Sequence, residues 1–120
     1  MGSKLSAADQ GRVEALDEGK RKWDRIRSLV EKAAMEERGR ETLLRQCHRN
    51  ASTLARFFAN NALGPLAQTA NDLAFVVKRS GRLESRIGSI REVVGRGYAG
   101  IDQAQSRLRR KASEADAARR

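Results

Sequence analysis

From Leu66 onward one series of residues stands at alternating steps of three and four: Leu66, Thr69, Leu73, Val76, Ser80, Leu83, Ile87, Ile90, Val94, Gly97, Ile101, Ala104 and Leu108. A mean step of 3.5 residues keeps one stripe of an α-helix facing one direction, so the series reads as six heptads of a coiled-coil seam. It ends at Arg109-Arg110-Lys111, where cations complement the negative end of a helix dipole. One continuous helix of this length would measure about 65 Å, more than a compact domain of this size accommodates. Leu, Ile, Val and Phe together number 24 of 120 residues and the net charge is +10, a composition at the border of disorder. Ordering the backbone costs about 1–2 kcal/mol per residue. So few apolar side chains hold a fold only when gathered on one face, and the expectation is that other chains complete that face.

The only proline, Pro65, follows Gly64 directly. Upstream the seam runs Leu44, Cys47, Ala51, Leu54, Phe58 and Asn61, and its continuation falls on Pro65 and Gln68 instead of Leu66 and Thr69. That one-residue slip rotates the stripe by about 100°. An in-phase path through His48, Ala55 and Ala62 leaves Leu54 and Cys47 off the seam. Gly64 is able to close a helix in the left-handed conformation, and Pro65 is tolerated in the first turn of the next. The reading is a turn at Gly64-Pro65, with a kinked continuous helix as the alternative. A first apolar run from Val13 to Ala33 fades at "MEERGRET", residues 35–42, where a bend near Gly39 is expected and a three-segment bundle stays open. Ser6 and Asp9 have capping-box spacing. Gly81, Gly88 and Gly95, seven apart beside the seam, mark either close approach of another helix or poor helix formers on a wet face.

Catalytic patterns are absent. Cys47 and His48 are adjacent, and on a helix their side chains diverge by about 100°, so they form no nucleophile–base pair. Cys47 reads as a small apolar seam residue, and a lone cysteine excludes an internal disulfide framework. One histidine without a second ligand cluster makes no metal site. Gly95-x-Gly97-x-x-Gly100 matches a dinucleotide fingerprint in letters, but seam residues flank it and no strand precedes it. No enzyme activity and no cofactor are expected.

Met1-Gly2-Ser3-Lys4-Leu5-Ser6 fits the N-myristoylation pattern, with Gly2 as the acylated residue. A single myristoyl chain anchors only marginally, and Lys20-Arg21-Lys22 is available as a second signal for an anionic membrane surface. No apolar stretch approaches the ~20 residues that span a bilayer, and no signal-peptide core follows the start. Nineteen of the 25 basic residues are arginine, and Arg38, Arg45, Arg49 and Arg56 fall within about 20° of one line on an ideal helix. They form a candidate ladder for phosphates or an acidic partner. Few aromatic residues are available for base stacking, which makes nucleic acid the secondary partner class.

The stretch "LARFFANNALGPLAQTANDLAFVVKRSGRLESRIGSIREVV" resembles the KxDL-domain proteins. In that family a Lys-x-Asp-Leu tetrad leads into a run of isoleucines and arginines. Here Ser80-Gly81-Arg82-Leu83 occupies the place of the tetrad, matching at Leu83, with Ile87, Ile90 and Arg91 following. The resemblance implies a small helical subunit of the BLOC-one-related complex, which acts on lysosome positioning from the cytosolic face of the membrane.

The sequence thus predicts an all-α chain: a long helical hairpin or coiled coil within a multi-chain bundle. Residues 1–10 are expected to be flexible, 11–63 to form a first helix, 64–65 the turn, 66–112 a second helix and 113–120 a flexible basic tail. The function expected is scaffolding by helix packing in the cytoplasm, against other small helical chains or further copies. Leu66, Leu73, Val76, Leu83, Ile87, Ile90, Val94, Ile101 and Leu108 are the candidate interface. An arginine-rich nucleic-acid-binding protein is the alternative.

Overall fold

The computed structural model describes residues 5–118, all-helical apart from short connections: α1 (Ala7–Met35), α2 (Arg40–Asn60), α3 (Gly64–Lys78) and α4 (Leu83–Ala118). The two helices expected from the sequence are therefore four. The first predicted helix stops at Met35 and restarts after Gly39, which takes φ 77° as the N-cap of α2, and Gly81 at φ 137° lies in the break of the second, expected to run unbroken over 66–112. Both angles favour glycine, because a Cβ crowds the backbone there. The termini are more helical than expected: α1 begins at Ala7 and α4 continues to Ala118.

Local chemistry fixes the breaks. Ser6 Oγ accepts from the Asp9 N–H at 3.1 Å, the N-cap half of the expected box, whereas the Asp9 carboxylate turns to Arg12 and Lys111. At the end of α1, Arg40 Nε donates to the Ala33 carbonyl at 2.7 Å, supplying a partner that the last helical turn lacks. After α2 the Leu63 N–H reaches the Phe58 carbonyl at 2.9 Å and the Ala62 N–H reaches Ala59 at 3.2 Å. This is a Schellman closure with Ala62 as its left-handed residue at φ 58°. The chain does turn in this region, but the turn spans residues 61–63, not the expected Gly64-Pro65, and Gly64 does not provide the left-handed cap. Gly64 and Pro65 are the first residues of α3, where a missing N–H costs nothing.

Each helix packs against two others, α1 on α2 and α4, and α3 on α2 and α4, in an up-down-up-down bundle. The core draws on all four, with Leu16, Trp23, Ile26, Leu54, Phe58, Leu73, Ile90 and Ile101 fully buried. The predicted interface residues Leu66, Leu73, Ile87, Ile90, Val94 and Ile101 are thus spent inside the chain, and Val76, Leu83 and Leu108 are half-buried. Their expected role as a seam for other chains is corrected on this point. The break at residues 79–82 folds the stripe back so that its two halves cover each other and α1–α2.

Along the α1–α4 joint, residues seven apart meet in order: Glu31 with Arg91, Asp24 with the Tyr98 hydroxyl, Asp17 with Gln105, and beyond them Asp9 with Lys111. This ladder fixes the antiparallel register of the two longest helices. The bundle is not uniform along its length. Phe58 meets α1 at Gly19 and Leu66 meets α4 at Gly100, so α1 before about Leu16 and α4 after about Ala104 run past the α2–α3 turn as a two-helix stem. The molecule accordingly extends 59 Å along its axis but only 21 and 20 Å across it.

Candidate functional site

Two clefts arise where helices of unequal length stop covering one another. The first, a basic cleft of about 530 Å³, lies between α2, the end of α3 and the start of α4, with Leu44 and Val77 as apolar lining. Arg45 and Arg49 border it from α2, Lys78 from α3 and Arg86 from α4. His48 is held by a 2.9 Å hydrogen bond between Nδ1 and the Ala74 carbonyl; a carbonyl only accepts, so Nδ1 carries the proton. Glu41 is the carboxylate of this cleft, and both its oxygens are engaged by Arg86, at 3.0 and 3.4 Å. The hydrogen bond from Arg86 holds the Glu41 carboxyl below its ordinary range. Arg45 donates to Thr42 Oγ1 at 3.2 Å, and among the described residues Arg45, Arg49 and Lys78 have no carboxylate within ion-pair distance. Arg86 Nε is buried without a hydrogen-bond partner.

The charge imbalance here is regional. Residues 40–82 carry seven arginines and lysines against two carboxylates, Glu41 and Asp72, which is half of the whole chain's excess of +10. Four carboxylates of α1, by contrast, Asp9, Asp17, Asp24 and Glu31, are distributed along the α4 joint. Of the predicted arginine ladder, the structure brings Arg45 and Arg49 into the cleft; Arg38 lies in the α1–α2 connection and Arg56 is exposed further along α2, outside it. The ladder assumed one helix from residue 38 to 56, and the break at Gly39 removes its first rung. Lys78, Arg86 and His48 were not legible as members, because only the packing of three helices gathers them.

The second cleft is a more apolar groove of about 550 Å³ at the step where the bundle narrows to its stem. Leu63, Pro65 and Leu66 at the α2–α3 turn form the floor and one wall, and Ala104 and Leu108 of α4 form the other. Arg12, Arg96 and Arg107 stand around it. Arg12 is paired with Asp9 at 2.7 Å and Arg96 with Asp72 at 3.7 Å, while Arg107 has no ion pair among the described residues. Of the predicted interface residues, half-buried Leu108 therefore lines this groove, and Leu66, itself buried, forms part of its floor.

Cys47 is fully buried and burial pushes its thiol up to about 11, so it is a core side chain with little thiolate at neutral pH. Gly88 and Gly95 have open space where a Cβ would stand, so no helix of this chain approaches them closely, and Gly81 lies in the α3–α4 connection instead of on a helix face. The glycines of close approach are Gly19, Gly97 and Gly100. Gly2 lies outside the described residues. Among the described residues no helix is long and apolar enough to cross a membrane, and no three His, Cys, Asp or Glu side chains gather as a metal site. No protein-family model, no curated protein and no solved structure matches this chain.

Proposed function

We propose that the chain is a non-enzymatic adaptor that captures an amphipathic helix of an acidic partner protein in the apolar groove at the base of its stem. The observation that carries this reading is the groove itself. A four-helix cross-section becomes a two-helix one, leaving Pro65, Ala104 and Leu108 along an open groove floored by the buried Leu63 and Leu66. A volume of about 550 Å³ suits two or three large side chains at helical spacing, the usual anchors of a helix seated in a groove. The partner's charge follows from the rim: Arg12, Arg96 and Arg107, on a chain of net charge +10, favour carboxylates flanking those anchors. Scaffolding by helix packing thus keeps its place in the reading, while the surface that performs it shifts from the seam to the groove. Placement on the cytosolic face of an endolysosomal membrane is a finer proposal, supported by the KxDL resemblance and the Gly2 pattern; the mass of the native N-terminal peptide tests acylation.

A display library of 20-residue helical peptides, with leucines at three- and four-residue steps and either Glu/Asp or Lys/Arg flanks, tests the groove reading. Acidic members should be enriched, and Arg107→Glu and Leu108→Asp should each weaken them by about tenfold or more. Enrichment of basic flanks, or binding unaffected by both variants, would sink it.

A further inference from the structure

We propose that the basic cleft between α2, α3 and the start of α4 is a binding site for a compact phosphate ligand, of the charge and size of a triphosphate or a nucleotide. This site is separate from the groove and stands whether or not the groove takes a helix. Three features converge. Arg45, Arg49 and Lys78 border one concavity, and among the described residues none of them has a carboxylate within ion-pair distance, the one carboxylate of the cleft, Glu41, being taken up by Arg86. Arg86 lines the same cleft from α4, its guanidinium paired with Glu41 and its Nε buried without a hydrogen-bond partner, so it contributes positive charge at the cleft wall. The lining also includes Leu44 and Val77, which lowers the local dielectric and strengthens charge-assisted hydrogen bonds formed against it.

The helices also preset the geometry. Arg45 and Arg49 are four apart and point along one side of α2, the spacing at which two guanidinium groups reach one anion. Lys78 approaches from the last turn of α3, and Arg86 is steadied by its two hydrogen bonds to Glu41. Phosphate oxygens would therefore meet cations from three helices whose relative positions the core already fixes. About 530 Å³ accommodates a triphosphate with room for a nucleoside, or a bend of nucleic-acid backbone. Both sources present the same oxyanions, and the experiment separates them.

The full chain is titrated calorimetrically with inorganic tripolyphosphate, and in parallel with a twelve-nucleotide single strand. Arg45→Gln with Arg49→Gln should lose tripolyphosphate affinity by about tenfold or more, and Lys78→Gln alone by several fold. Glu41→Gln should tighten binding by roughly fivefold, because it removes the opposing charge and releases Arg86. The control, Lys20→Gln with Arg21→Gln on exposed α1, removes the same charge and should change affinity less than about twofold. Circular dichroism verifies that each variant keeps its helicity. If the strand competes with tripolyphosphate and fails with the same variants, the source is a nucleic-acid backbone; if only tripolyphosphate responds, it is a free phosphate ligand. Absence of tripolyphosphate binding at low salt would overturn the proposal, as would equal losses in the cleft and control pairs.

Discussion

Trp23 lies against Gly97, and its indole Nε1–H donates to the Val94 carbonyl at 2.8 Å. A Cβ built at Gly97 would stand 2.2 Å from the ring, so the indole occupies the space that any larger residue would need. The same interlock recurs at Gly19, where a Cβ would come within 2.4 Å of Phe58, and at Gly100, 2.9 Å from Leu66. The α1–α4, α1–α2 and α3–α4 joints each pair a large side chain with a missing one. A chain with few large apolar residues thereby brings its helices close enough to bury nearly all of them.

Gly97→Ala should destabilise the fold by roughly 1–3 kcal/mol through overpacking, outweighing the gain in helix propensity. Gly88→Ala and Gly95→Ala meet open space in the same helix and should stabilise by up to about 1 kcal/mol each. Urea unfolding of the three variants gives the signs; stabilisation by Gly97→Ala would show that the indole does not fill that space.

A core assembled within one chain should melt independently of concentration. Thermal unfolding followed by circular dichroism at about 1 µM and about 100 µM should give coincident curves, because no association is coupled to folding. Leu73→Ala should lower stability by about 2–5 kcal/mol in the monomer, since Leu73 is fully buried between the chain's own helices. A midpoint rising with concentration would return the seam to the intermolecular role that the sequence suggested.

That contrast shows what was legible beforehand. The seam was correct as a pattern: Leu73, Ile87, Ile90, Val94 and Ile101 do share the buried face, and Gly97 belongs to it. Its use was not legible, because a break at Ser80-Gly81-Arg82 leaves the three- and four-residue steps undisturbed while reversing the chain. Periodicity reports which side of a helix is buried and is silent about what buries it. The glycines stayed ambiguous for a related reason. Gly81, Gly88 and Gly95 drew attention by their seven-residue spacing, yet close approach depends on the side chain across the joint, which a single stretch of sequence does not name. The basic cleft was half legible: Arg45 and Arg49 sit on one helix, whereas Lys78 and Arg86 arrive through tertiary packing.

Stability should follow pH with a plateau from about pH 5 to 9. Hydrogen bonds from Lys111, Arg91 and Arg86 lower the carboxyls of Asp9, Glu31 and Glu41 below their ordinary values of 3.8, 4.5 and 4.5. Their stabilisation is complete above those values and is lost as pH falls through the lowered ones. On the alkaline side burial raises Cys47 from 9.0 to about 11, and burial with the Asp24 hydrogen bond raises Tyr98 from 10.0 to about 12. Stabilisation from keeping these groups neutral is complete below 9.0 and 10.0 and declines as pH rises. Cys47→Ala should therefore move the onset of alkaline destabilisation upward by about one pH unit. Melting midpoints of both proteins between pH 8 and 11 test this, and an unmoved onset would place the thiol in contact with solvent.

The α2–α3 turn offers the sharpest separation of sequence expectation from structure. If Gly64 were the left-handed residue, Gly64→Ala would strain the backbone by roughly 1–2 kcal/mol and Ala62 would be an ordinary position. The structure reverses these roles. Ala62 holds φ 58° at the point where the Leu63 N–H reaches Phe58, whereas Gly64 opens α3 with nothing near the site of a Cβ. Ala62→Gly should consequently stabilise the chain by about 1 kcal/mol, since glycine enters the left-handed region without steric cost. Gly64→Ala should be neutral or slightly stabilising, because alanine restricts the unfolded chain and fits a helical first turn. Pro65→Ala should cost little in the native contacts, as its missing N–H lies among the unpaired donors of that turn. Chemical denaturation of the three variants decides the matter: a loss of 1 kcal/mol or more in Gly64→Ala, with no gain in Ala62→Gly, would put the left-handed residue back at Gly64.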